Sequence, residues 1–205
     1  MDRADAIQRL KALIGHDLVE LGHGYGVTIW KGDRINKGWA GHCIERHLGL
    51  ALNSSRSPNF GSWELKVVPV KAMPDGSFKV KETMAITMID PVEVAAKEFP
   101  DSHLFLKFQR MVVVGRVFES KAETRSLCHV VAEFDLGDQE LYRQVKADYD
   151  AVRHVIRTKG FDHLTGAMGV MVQPRTKGPG HGSTSRAFYA RPLLVARILG
   201  IPVRR

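Results

Sequence analysis

The spacing of apolar side chains changes twice along the chain, and no other feature constrains the fold so strongly. In residues 2–14, Ile7, Leu10, Leu13 and Ile14 recur at helical intervals, with Asp2 placed to cap the first turn. A second helix fits 37–49, where Trp39, Cys43, Ile44 and Leu48 form one apolar stripe. The pattern then becomes extended. Trp63–Val70 and Ser77–Ile89 are rich in Val, Ile, Phe, Thr and Met, and the turn signal Met73-Pro74-Asp75-Gly76 between them predicts a hairpin. Met111–Phe118 and Cys128–Phe134 predict two further strands, and Leu104–Phe108 also has a strand-like look. Helical spacing returns from Asp138 to about Ile156, with Leu141, Val145, Tyr149, Val152 and Ile156 on one face. Pro192–Leu199 closes as a helix with Pro192 in its first turn. The Gly-rich stretch 22–38 reads as a loop, and its GHGYG lacks the strand-to-helix setting of a phosphate loop. Helix, then strands, then helices predicts a mixed α/β fold, taken as a single domain over 1–205.

At 205 residues with 44% hydrophobic and 25% charged residues, the chain can bury a full core and is not a disordered polymer. No apolar run approaches the ~20 residues that span a bilayer. The start MDRADAIQRL carries charges of both signs and does not read as a signal peptide, so no membrane partner is expected. Cys43 and Cys128 are too few for a disulfide framework and sit among apolar neighbours, so reduced buried thiols and a cytoplasmic location are expected. His42, His47, His103, His129 and His154 lack the spacing of a zinc site.

The net charge of +8 is unevenly spread. No Asp or Glu follows Asp162, yet Arg175, Lys177, Arg186, Arg191, Arg197, Arg204 and Arg205 do, leaving residues 1–162 at only +1. A one-sided basic segment favours a polyanion, with nucleic acid the usual candidate; a solvated basic tail is the alternative. The expected recognition element is the loop from Gln173 to Arg186. It supplies Gln173, Arg175, Lys177, His181 and Arg186 for contact with base edges and phosphates, with the helix 192–199 behind it.

The informative stretch is Ser57-Pro58-Asn59-Phe60-Gly61-Ser62-Trp63-Glu64-Leu65-Lys66-Val67. Glu64 and Lys66 are two apart, so on a strand they share a face. An acid at 59 together with Glu64 would hold Mg²⁺ through hard oxygens, and Lys66 would orient or deprotonate the attacking water. Glu45, four residues after Gly41 on the preceding helix, could face the same point; a surface glutamate is the plain alternative. Lys107 interrupts an apolar run and either reaches the site or a phosphate, or lies on the surface.

These segments resemble the MutH family, the GATC-nicking endonucleases of mismatch repair, and their restriction-enzyme relatives of the PD-(D/E)XK nuclease class. Residues Asn36–Gly49 (NKGWAGHCIERHLG) are similar to the family's KGW-x-G-x-x-(L/I)-E-x-x-LG signature. Trp63–Val70 (WELKVVPV) resembles its VELK-x-x-P strand, and Ser185–Arg191 (SRAFYAR) resembles its RGFYL segment. The resemblance implies a restriction-endonuclease-like fold, a central mixed sheet flanked by helices. It implies Glu64 and Lys66 as catalytic-strand residues and Glu45 as a helix carboxylate that helps hold metal. It places Leu65 among the metal-contacting positions, Lys37 near the DNA, and Tyr189 near the recognised base.

Two departures stand out. The family's metal-binding aspartate position is taken by Asn59, which offers a neutral carbonyl oxygen, so Mg²⁺ binding should be weak and cleavage slow or absent. The 59-to-64 spacing is two residues shorter than in the repair enzyme, and Gln173–Gly178 matches the family's recognition segment only loosely. The expectation is therefore a Mg²⁺-dependent, sequence-specific endonuclease of double-stranded DNA, of the restriction type, acting as monomer or homodimer. The alternatives are a mismatch-repair nickase working on hemimethylated DNA with a repair-protein partner, and a DNA-binding module that does not cut.

Overall fold

The computed structural model describes residues 1–49, 61–177 and 184–203. Helices α1 (Arg3–Lys11) and α2 (Leu18–Gly24) come first, and a minimal hairpin of β1 (Trp30–Lys31) and β2 (Arg34–Ile35) leads into α3 (Trp39–His47). Strands β3 (Glu64–Ala72), β4 (Phe78–Val80) and β5 (Met84–Met88) follow, then the short helices α4 (Pro91–Ala96) and α5 (His103–Phe108). Next are β6 (Arg110–Val117), β7 (Cys128–Asp135), the long α6 (Gln139–Thr158), β8 (Val172–Thr176), β9 (Arg186–Ala190) and α7 (Pro192–Leu199).

The main sheet has the order β4-β3-β6-β7, with β3 and β6 parallel and both outer pairings antiparallel. Strand β6 is its centre because Met111, Val112, Val113 and Val114 are all fully buried, and consecutive apolar residues need cover on both faces. Met111 and Val113 pack with α5, α6 and α7, while Val112 and Val114 pack with α1, α2 and α3. The chain is thus a mixed sheet flanked by helices, the restriction-endonuclease-like arrangement expected from the sequence. A second sheet, β5-β9-β8, stands beside it. Asp2, Asp17, Asp90, Ser102 and Asp138 cap α1, α2, α4, α5 and α6 by accepting from first-turn backbone N–H groups.

The structure corrects four readings. Residues 22–38 are not all loop: Asp17 starts α2, which runs to Gly24, and Asn36 closes the small hairpin by donating to Thr28 O at 2.8 Å. Ser77–Ile89 is not one hairpin arm. Phe78–Val80 pairs with β3, after which the chain leaves the sheet and Met84–Met88 pairs with β9. Leu104–Phe108 is helix rather than strand, because the Ser102 hydroxyl accepts from Phe105 N at 3.1 Å and opens α5. Gln173–Thr176 and Arg186–Ala190 are antiparallel strands, not a loop, so Gln173, Arg175 and Arg186 sit on sheet; His181 lies outside the described residues. No helix among the described residues is long and apolar enough to cross a membrane.

Candidate active site

The start of β3 forms the floor of a cleft of about 860 Å³ between the two sheets. Glu64 and Lys66 share the face of β3 that looks toward β5 and α5, as the two-residue spacing requires. Glu64 is 1% exposed, and its Oε1 accepts from Lys66 Nζ at 2.7 Å and from Lys107 Nζ at 3.4 Å. Lys66 also donates to the Ile86 carbonyl at 3.3 Å. Ile86 is the extra residue where the β5–β9 register shifts, so the bulge that interrupts pairing turns this carbonyl toward the lysine.

Lys107 reaches the site because α5 is a helix. One helical turn separates it from His103, and both line the cleft. Its ammonium is buried beside Glu64, so it is not a surface lysine. Burial lowers its pKa below the ordinary lysine value; Glu64 acts against that shift, and Lys66 adds to it. Lys177 is exposed as a residue, but partial burial of its ammonium lowers its pKa in the same direction, and repulsion from Lys66 and Lys107 adds to this. Two ammonium groups thus meet one buried carboxylate and a third lines the same cleft, an environment that favours an incoming anion.

The near wall comes from α3. Its stripe of Trp39, Ala40, Cys43 and Ile44 is buried in the core, while Gly38, Gly41 and Glu45, spaced three and four apart, line the cleft with Lys37. A Cβ on Gly41 would meet nothing within 4 Å, so the helix leaves open space beside Glu45. Lys37, Glu45, Glu64, Leu65, Lys66, Lys107 and Lys177, all singled out from the sequence, therefore share one cleft. Asn59 lies outside the described residues.

The donor set suits a hard divalent cation. Glu45 and Glu64 offer carboxylate oxygens, and Leu65, whose side chain is buried and aliphatic, can offer only its backbone carbonyl. Among the described residues no three His, Cys, Asp or Glu side chains are grouped to hold a metal.

The remaining sequence candidates lie on the second sheet. Gln173 is 5% exposed on β8, so the reading that put it on an exposed loop is corrected: strand pairing opposite Tyr189 turns it inward. Arg175 is exposed, donates to Thr83 Oγ1 at 2.8 Å and sits 5.7 Å from the centre of the Tyr189 ring. Arg186 donates to Asp162 O at 3.1 Å. The basic end is not uniformly available. Arg191 donates to the carbonyls of Gly166, Ala167, Met168 and Gly169, and Arg197 pairs with Asp138 at 2.7 Å.

Sequence reasoning missed Arg116, which also lines the cleft. Its guanidinium is held by Glu123 at 2.6 and 2.9 Å and by Ser126 Oγ at 3.0 Å, and lies 5.0 Å from the Trp39 ring centre at the start of α3. Seven residues separate it from Glu123 across an irregular loop, and no periodic signal pairs them.

Comparison with known proteins agrees with this geometry. Residues 48–140 match a family model described as DNA mismatch repair enzyme MutH, a span that includes β3 and Lys107. A DNA mismatch repair protein MutH of Shewanella sp. (strain MR-4) is 26% identical over 179 residues, covering 85% of this chain and 77% of the relative. The protein of the same name from Vibrio campbellii is 25% identical over 190 residues, covering 90% and 81%.

Proposed function

We propose that this chain, which is similar to DNA mismatch repair proteins named MutH, binds duplex DNA and nicks it by phosphodiester hydrolysis in mismatch repair. The observation that carries this reading is the buried Glu64 carboxylate held by Lys66 and Lys107 in a cleft that also receives Glu45, Lys37 and Lys177. Relatives named as mismatch repair proteins over most of their length favour the repair nickase over the restriction enzyme expected from the short 59-to-64 spacing.

Lys37 and Lys177 at the rim draw the DNA backbone in, and the scissile phosphate sits over Glu64. Lys66, fixed by Glu64 and the Ile86 carbonyl, positions the attacking water in line with the phosphorus. Lys107 neutralises charge that grows on the phosphate oxygens. Glu64, Glu45 and the Leu65 carbonyl would hold a Mg²⁺ ion, which would supply further charge neutralisation at the phosphate. Asn59 in place of a carboxylate weakens that binding and keeps cleavage slow.

The test is a plasmid assay with Mg²⁺, comparing the chain as it stands with Asn59→Asp, on unmethylated, hemimethylated and fully methylated DNA. Asn59→Asp should raise cleavage at least tenfold, with open circles as product, and Glu64→Gln should remove it. Linear product in a single encounter would return the restriction-enzyme reading. If Asn59→Asp and the parent leave all three substrates uncut, with or without added mismatch-repair proteins, the nuclease reading fails.

A further inference from the structure

The hairpin of β1 and β2 has no role in the cleft chemistry, yet its surface is unusual. Of the three tryptophans, Trp39 and Trp63 are each 1% exposed, whereas Trp30 is 41% exposed. Lys31 and Arg34 face each other directly across the two strands, a like-charge pair that destabilises an isolated hairpin. Among the described residues, neither of them nor Lys37 forms an ion pair, and all three are exposed. The hairpin is nevertheless held firmly. Ile29 is 4% exposed in the core, Ile35 packs against the same cluster, and Asn36 ties the base through its N–H to Ile29 O and its amide to Thr28 O, both 2.8 Å. The turn is made by Gly32 at φ 56, a left-handed value that glycine takes without strain.

Position supplies the second half of the argument. The chain runs from the hairpin straight through Asn36 to Lys37 and Gly38, which line the cleft. Three residues carry the backbone at most about 11 Å, so Arg34 stands within roughly three base-pair steps of Lys37 along a duplex. Lys31 and Arg34 occupy the hairpin face opposite Trp30 and Ile35, and with Asp33 in the turn the hairpin stays net positive; a cationic face at the rim of an anion-favouring cleft fits the continuation of the same polyanion.

We propose that the Trp30–Ile35 hairpin is a second DNA contact outside the cleft, with Lys31 and Arg34, side by side on the face opposite Trp30 and Ile35, on backbone phosphates. This rests on the DNA-binding reading above and extends its footprint beyond the cleft.

The experiment follows binding of the intact protein to a labelled duplex by anisotropy, without divalent cation and over a series of salt concentrations. Lys31→Ala/Arg34→Ala should bind at least tenfold more weakly, with the salt dependence of log K reduced by about two units, one per phosphate contact. A double variant that binds with unchanged affinity and unchanged salt slope overturns the hairpin contact and leaves the cleft reading standing; the surface would then be one for an acidic protein. Absence of any DNA binding overturns both.

Discussion

Replacing Glu123 by alanine should cost more stability than any conservative change in the cleft itself. The Arg116–Glu123 pair is bidentate at 2.6 and 2.9 Å, with side chains only 10% and 4% exposed. Without the carboxylate, the guanidinium stays buried with one hydroxyl, Ser126 Oγ, and the Trp39 ring as its named neighbours. Breaking a buried pair from one side costs about 3–5 kcal/mol, because the surviving charge keeps its desolvation penalty. In a chain of this length that is a fall in Tm on the order of 10 °C. Glu123 also sits at φ 47, alone among the described non-glycine residues in the left-handed region. Glu123→Gly should therefore be about 1 kcal/mol less damaging than Glu123→Ala, since it relieves the backbone while losing the same ion pair. Arg116→Met/Glu123→Ala should recover much of the loss by removing the stranded charge. Urea unfolding followed by far-ultraviolet circular dichroism measures all three. A Glu123→Ala cost below about 1 kcal/mol, or a double variant as unstable as the two single losses added, would show that the pair is not the buried, desolvated contact described.

Three further outcomes follow from the geometry. The Asp148 carboxylate accepts from Val170 N, Met171 N and Val172 N at 2.7–2.8 Å, so Asp148→Asn turns an amide N–H₂ toward backbone donors; a loss of about 2–4 kcal/mol in urea is expected, and a neutral result would refute the clamp. Gly169→Ala should destabilise the same turn, because a Cβ there would meet Val172 O at 1.8 Å and φ is 76; an unchanged thermal midpoint counts against it. Burial pushes the Cys43 thiol up to about 12 and Cys128 to about 11. A raised thiol pKa favours the neutral folded form, so this contribution is complete below the unfolded value of 9.0 and is lost as pH climbs through 11 to 12. Both thiols should react with a disulfide reagent at pH 8 only as fast as the protein opens, and prompt labelling of either would refute their burial.

Much of the scaffold was legible because its signals are local. Helices α1, α3, α6 and α7 follow from apolar spacing, and Asp2 and Asp138 cap as placed. Strand β6 follows from a run that only a two-sided core can bury, and β7 from its short stretch of Val and Phe. Leu104–Phe108 is ambiguous in sequence because five residues rich in Leu and Phe suit either period, and the deciding hydrogen bond involves Ser102, before the run begins. Gln173 reads as loop in sequence because a polar residue amid Gly, Pro and Lys looks like loop, and only pairing with β9 turns it inward. Arg191 counted as free charge until the carbonyls of residues 166–169 closed around it.

The sequence by itself determined that the chain is mixed α/β, that Glu64 and Lys66 share a face, and that surplus charge gathers after Asp162, since each depends on residue type at short separation. Which charges meet was decided by the tertiary structure alone. The crossing of β5 to a second sheet brings Ile86 O to Lys66, α5 brings Lys107 to Glu64 from 43 residues away, and α3 brings Glu45 over the end of β3. Those contacts carry no periodic trace, because they exist only once two separate cores have closed around the central strand.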